Sequence, residues 1–245
     1  MPRWSSMLKV FRRPAEATFG RIRDRLHPNR QCPICDWTGY AFSKGGAPNK
    51  SRFDCRCPNC GAVERHRLAF MVAEKLDGLD YSDVLHVAPE KELSNYLRSK
   101  ATNYLSIDLY SQAMARMDIT ALELPDQSQS LIWISHVLEH VENDAAAIAE
   151  MSRVLRPGGT VIAQVPIWRQ STYEDFSITD PNDRLEHFYQ TDHVRLYGID
   201  VVDRFCSRGF EAEVHRAQDF GPERLVRHGL SFVSTNEVFR FRKAA

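Results

Sequence analysis

Between Ser82 and Pro166, short apolar runs alternate with helical segments, and that alternation limits the fold more than any other feature of the chain. Val84-Leu85-His86-Val87 turns at Ala88-Pro89-Glu90 into a helical pattern that ends near Arg98. Tyr104-Leu105-Ser106-Ile107 ends on Asp108, and Met117-Asp118-Ile119 follows. Leu131-Ile132-Trp133-Ile134 leads into Ser135-His136-Val137-Leu138-Glu139-His140, and a helix from about Asp144 to Leu155 meets Arg156-Pro157-Gly158-Gly159 before a last strand from Thr160 to Val165. β-rich runs separated by helices imply crossover units, hence an α/β architecture with a parallel sheet covered on both faces. Ligands of such sheets sit beyond the carboxyl ends of the strands. The Ala88-Pro89-Glu90 turn, Asp108 and Ser135-His136 all fall there.

The cysteines set a second constraint. Five of the six fall between positions 32 and 60, and Cys206 stands apart in what reads as an apolar helical face, so it is expected in the core. Cys32-Pro33-Ile34-Cys35 and Cys57-Pro58-Asn59-Cys60 each form a tight turn that aims two thiolates at one point. Together they make a closed tetrahedral site, here expected to hold structural zinc, with a rubredoxin-like iron site as the weaker alternative. Cys55 is left as a bystander. Metal-site spacing suits a reducing, cytoplasmic setting better than a disulfide framework. No apolar run is long enough for a membrane span, and no signal peptide is visible. Acidic and basic residues balance at 32 each, so no global field draws in a polyanion.

The expected order is a basic arm and helix over 1–30, a zinc ribbon over 31–62, a linker helix over 63–80 and the main domain over 81–245. The arm carries Arg3, Lys9, Arg12, Arg13, Arg21, Arg23, Arg25 and Arg30. It reads either as a solvated terminus with a helix from Ala15 to Leu26 or as a contact for RNA or an anionic membrane surface, and an organellar presequence is a third option. Arg65 and Arg67 open the linker helix and are placed to reach an anionic substrate or simply solvent. After the last parallel strand, residues 167–197 form an insertion where a lid or acceptor pocket belongs. Tyr173 falls within it, and at its end His193, Arg195 and Tyr197 alternate, which in an extended segment turns them to one side. Tyr173, Arg195 and Tyr197 are candidate substrate contacts, and His193 is a candidate catalytic group. Phe210 to Val214 and Val238 to Phe241 read as closing antiparallel strands.

Asp108, the Asp118-Ile119 pair, His136-Val137-Leu138-Glu139-His140 and Val154-Leu155-Arg156-Pro157-Gly158-Gly159, in this order, resemble the class I S-adenosylmethionine-dependent methyltransferases. The resemblance extends to an uncharacterised subgroup with an Ala-Pro-Glu turn and a downstream Asp-His-Val-Arg-x-Tyr-Gly, seen here as Asp192 to Gly198. It implies a Rossmann-like seven-stranded sheet, here with an N-terminal zinc ribbon, and a cofactor offering a ribose diol, an adenine edge, a zwitterionic tail and a sulfonium. Asp108 would accept the ribose hydroxyls. Asp118 and the Ile119 N–H would meet the adenine. His86, Ala88, Pro89, Glu90, Ser135 and His136 would line the remainder. His86 stands where the family has an acid and the usual glycines are missing, so Glu90 is the residue left to meet the cofactor's ammonium. Methyl transfer needs alignment and, for oxygen or nitrogen acceptors, proton removal, for which His136 is the candidate base. The expected function is methylation of a small or medium acceptor at oxygen or nitrogen. An RNA base methyltransferase with a zinc-binding recognition module, and an inactive binding protein that keeps the fold, are the alternatives.

Overall fold

The computed structural model describes residues 29–46, 51–110, 112–230 and 237–244. The arm over 1–28, with its expected helix, lies outside them, as does much of the loop between the cysteine pairs. Two hairpins come first: β1 (Arg30–Gln31) with β2 (Thr38–Gly39), and β3 (Ser43–Gly45) with β4 (Arg52–Arg56). Helix α1 (Glu64–Lys75) follows, then β5 (Asp83–Val87), α2 (Lys91–Lys100), β6 (Asn103–Asp108) and the short β7 (Ala115–Arg116). β8 (Gln129–Ser135), a single helical turn over Leu138–His140, α3 (Asp144–Val154) and β9 (Leu155–Gln164) complete the parallel part.

The insertion is more regular than expected. β10 (Ile167–Arg169), β11 (Tyr173–Glu174) and β12 (Arg195–Gly198) make a separate three-stranded sheet, with α4 (Pro181–Phe188) between β11 and β12. Then come α5 (Val201–Cys206), β13 (Phe210–Arg216), α6 (Gly221–Arg227) and β14 (Glu237–Lys243). The main sheet runs β13-β14-β9-β8-β5-β6-β7. Its five strands from β5 to β9 are mutually parallel, while β14 pairs antiparallel with both β9 and β13. Strand order reverses between β5 and β8, and this switch point is where open α/β sheets leave a crevice.

Alternation along the strands sorts side chains into two cores. Leu85, Val87, Ile132, Ile134, Val161 and Phe239 pack with Ile148, Met151 and Phe205 from α3 and α5. Val84, Leu131, Trp133, Ile162 and Val238 face Leu68, Val72, Leu93 and Leu97 of α1 and α2. Helix α1 is therefore part of the layer covering the sheet. The Pro157-Gly158-Gly159 stretch turns the chain into the sheet: a Cβ on Gly159 would lie 2.9 Å from the Arg156 carbonyl oxygen and 3.1 Å from that of Ser130. One local expectation fails. Cys206 is exposed, because the helix it ends covers only two turns and buries Val201 and Phe205 instead. Helix α5 is preceded by Asp200. Asn143 caps α3 by accepting from the Ala146 N–H.

Candidate active site and metal centre

At the carboxyl end of β5 the chain must leave the sheet and enter α2 within three residues. Ala88 does this with φ at 47°, a left-handed conformation usually left to glycine, while its N–H donates to the Ile107 carbonyl at 2.8 Å. The turn that lacks glycines thus keeps a glycine-like path with the smallest side chain that carries a Cβ. Pro89 precedes the helix rather than opening it, and Glu90 is the residue before its first turn. His136, just past β8, also has a positive φ, 55°, and its N–H donates to the Gln164 carbonyl at 2.9 Å. Strained backbone of this kind clusters at functional sites.

His86 is wholly buried in the face that packs on α1 and α2. Its Nε2 accepts from the Glu90 N–H at 3.4 Å, so Nδ1 carries the proton and donates to the Tyr104 hydroxyl at 2.9 Å. Burial pushes its pKa down to about 4, which keeps the ring neutral. His86 therefore props the turn from below and does not point into the crevice. Glu90 bends back towards α1. Its Oε1 lies 3.1 Å from His66 Nε2 and 3.3 Å from Arg65 Nε, and accepts from the Ser135 hydroxyl at 3.2 Å. Burial pushes this carboxyl up, but the His66 hydrogen bond and the charges of His66, Arg65 and His136 outweigh it and bring the pKa to about 2. Its Oε2 is buried without a hydrogen-bond partner.

The same rim collects further buried polar atoms that lack a hydrogen bond: Gln164 Nε2 at the end of β9, His136 Nε2 and Glu139 Oε2. Such atoms are rare in folded proteins, and their gathering at one edge of the sheet marks a ligand site. Asp108 closes β6, with Oδ1 accepting from the Tyr110 N–H at 2.7 Å. Asp118 follows β7 and accepts from the Thr120 N–H and hydroxyl at 2.8 and 2.7 Å, with Ile119 buried beside it. His136 Nδ1 sits 3.1 Å from Glu139 Oε1. The carboxyl ends of adjacent strands thus bring the expected cofactor contacts to one rim, His86 excepted. Gln164 was not singled out beforehand; its position on the last residue of a parallel strand was the available signal.

The expected acceptor contacts separate. Arg195 is buried, and its guanidinium donates to the Leu138, Val141 and Glu142 carbonyls and to Glu174 Oε2 at 2.8 Å. Tyr197 is fully buried and donates to Asp144 Oδ2 at 2.6 Å. Neither faces solvent: a fork on three carbonyls is a brace, and β12 is the middle strand of its sheet, between β10 and β11, with all four residues buried. Tyr173 is half-buried and its hydroxyl meets His187 Nδ1 at 2.9 Å. His193 is buried beside Glu139.

In the N-terminal module the four expected ligands come together. Cys32 and Cys60 Sγ are 3.6 Å apart, as are those of Cys35 and Cys57. A tetrahedral ion with bonds of ~2.3 Å requires sulfur separations of roughly 3.8 Å, so the donor set fits zinc. The hydrogen bond from Cys32 is the main cause that holds the Cys57 thiol below its ordinary range, the direction a metal ligand needs. Cys55 lies outside this cluster. Arg67, wholly buried, donates to the carbonyls of Cys55 and Ala62 in the module and of His228 and Gly229 after α6, so it reaches no substrate.

Residues 67–163 match the family model of a methyltransferase domain. Among curated proteins, an uncharacterised 37.1 kDa protein in transposon Tn4556 of Streptomyces fradiae is 41% identical over 64 residues, which is 25% of this chain. The chain spans about a fifth of that relative's length, 19%. The S-adenosylmethionine-dependent methyltransferase of Mesorhizobium loti is similar over 71% of this chain and 96% of its own, at 15% identity and a TM-score of 0.51. The [4+2]-cyclase SpnF is similar over 84% and 89%, at 16% identity and a TM-score of 0.54. A Burkholderia thailandensis 1,6-didemethyltoxoflavin N1-methyltransferase, solved with S-adenosylhomocysteine, is similar over 74% and 79%, at 12% identity and a TM-score of 0.50. At these identities the structural likenesses establish the fold.

Proposed function

We propose that this chain, a member of the class I S-adenosylmethionine-dependent methyltransferase family, transfers a methyl group from that cofactor to an oxygen or nitrogen of a small or medium-sized acceptor. The observation that carries the reading is the rim itself, where unpartnered Glu90 Oε2, Gln164 Nε2 and His136 Nε2 gather around a left-handed Ala88. When bound, the cofactor supplies an electrophilic methyl group on a sulfonium. Glu90 Oε2, held as a carboxylate, is the acceptor for its ammonium. Asp108 is assigned to the ribose hydroxyls and Asp118 with the Ile119 N–H to the adenine. Ala88 lets the backbone approach closely, with Pro89 fixing the exit of the turn. Ser135 holds Glu90 in place.

His136 takes the acceptor's proton at Nε2, while Glu139 on Nδ1 orients the ring and stabilises the imidazolium that results. Trp168 and Tyr189, whose rings are 4.9 Å apart and both partly exposed, offer the acceptor an apolar face at the insertion. The cysteine module holds zinc in a structural role, since four thiolates leave no open coordination position.

Calorimetry with S-adenosylmethionine tests the reading. The wild-type chain should bind, and Asp108→Ala should bind roughly 10- to 100-fold more weakly, the range expected for losing charge-assisted hydrogen bonds. Absence of heat with the wild-type chain overturns it.

A further inference from the structure

Past β8 the chain makes one helical turn, and the segment entering β12 returns alongside it through the Val194 N–H, which donates to the Glu139 carbonyl at 2.9 Å. Arg195 then clamps the turn from the other side. This juxtaposition brings one ligand atom each of Glu139, His140 and His193 within 4.8 Å of one another. We propose that these three residues form a second metal site, distinct from the cysteine module, that takes a divalent transition ion such as zinc or ferrous iron.

Four observations support the assignment. His193 is 2% exposed, and beyond a marginal approach to the Phe188 carbonyl neither of its ring nitrogens has a hydrogen-bond partner. Glu139 is 1% exposed, and its Oε2 is likewise without a partner. A buried imidazole and a buried carboxylate oxygen are costly to leave unsatisfied, and one cation answers both. The outer partners of two ligands are already in place. His140 Nδ1 faces the Asp192 carbonyl and carboxylate, each at 3.3 Å, which leaves Nε2 for an ion. His136 Nδ1 holds Glu139 Oε1, which leaves Oε2. Metal-bound histidines and carboxylates are oriented in this way by their second hydrogen bond.

The donor chemistry selects the ion. Two imidazoles and one carboxylate suit zinc or ferrous iron rather than magnesium or calcium, and three protein ligands leave positions open. The cysteine module has no such opening. The site adjoins His136, so, if the methyltransferase reading holds, the open positions would take an acceptor oxygen and lower the pKa of a bound hydroxyl.

The test needs no methyl transfer. The full chain is stripped with chelator, reloaded with excess zinc or cobalt, gel-filtered and analysed for metal. Two ions per chain are expected in the wild type, one in the cysteine module and one here. Cobalt should give thiolate charge-transfer bands from the first equivalent and only weak ligand-field bands from the second. His140→Gln, on the partly exposed ligand, and His193→Gln should each lose the second equivalent, with binding weaker by about a hundredfold or more. Asp192→Asn should weaken it by about tenfold while the first equivalent is retained. If H193Q disturbs folding, H140Q decides the matter with an unchanged melting temperature as its control. A single ion per chain in the wild type, or a second ion unaffected by H140Q, overturns the proposal. Two ions without any response to S-adenosylmethionine would keep the metal site and discard only the methyltransferase reading.

Discussion

His86 illustrates how one side chain replaces a motif residue by changing its task. In place of a carboxylate that could face the crevice, it stands inside the sheet's covered face, receives the Glu90 N–H and donates to Tyr104. Protonation would put a charge into that core. The folded pKa of about 4 lies below the ordinary 6.5, so the stability this residue supports is fully present above pH 6.5 and is lost as pH falls towards 4. The loss amounts to on the order of 3 kcal/mol, at about 1.4 kcal/mol per pH unit. Denaturant midpoints between pH 7 and 4 should therefore fall more steeply for the wild type than for His86→Gln. Parallel slopes would show that His86 does not carry the dependence. At this scale the sequence was partly legible. The strand-end positions of Asp108 and Asp118 follow from the family resemblance, and the clustering of the four cysteines from their paired spacing. The burial of Arg195 and Tyr197 did not, because alternation says which residues share a side but not whether that side is later covered. The Glu90 contacts with His66 and Arg65 cross between elements, and no local pattern announces them.

Among the elements, α1 joins the two parts of the molecule. Its apolar period marked a helix that links the cysteine module to the main domain and packs on it, and the structure places that helix on Val84, Leu131 and Trp133 of the central sheet. Arg67 then projects from the same helix into the cysteine module, where its guanidinium lies 4.0 Å from the centre of the Phe42 ring and satisfies four carbonyl oxygens from two separate segments. An arginine near a helix start is ordinarily solvated, so sequence alone favoured exposure. Arg67→Met keeps the apolar stem but strands those carbonyls, at a cost of about 3–5 kcal/mol. The melting temperature should fall by roughly 6–20 °C, since each kcal/mol moves a chain of this size by about 2–4 °C. A change within a degree or two would show that water replaces the guanidinium.

For the molecule as a whole, the cysteine module is joined to the cofactor rim through contacts rather than by the chain alone. A Cβ on Gly61, one residue past Cys60, would lie 3.2 Å from Glu92 Oε1, and His66 links the helix after the module to Glu90 at the rim. Opening the module with Cys60→Ser, which spares Glu139, His140 and His193, should therefore weaken S-adenosylmethionine binding by roughly tenfold, about 1.4 kcal/mol, although the four clustered cysteines are not among the assigned cofactor contacts. Calorimetry on both chains, with metal analysis as the control, measures this. Equal affinity in the two chains would mean that the module is mechanically independent.

Gln31 closes a contact with the far end of the chain: its side chain accepts from Arg227 and its carbonyl faces His228 Nδ1, across 196 and 197 positions. Arg67 spans 161 and 162 positions to the same segment. A ribosome therefore delivers the cysteine knuckles well before their seat. During synthesis the module can form and wait, but it cannot be clamped until α6 has emerged, so its docking closes a loop of nearly two hundred positions.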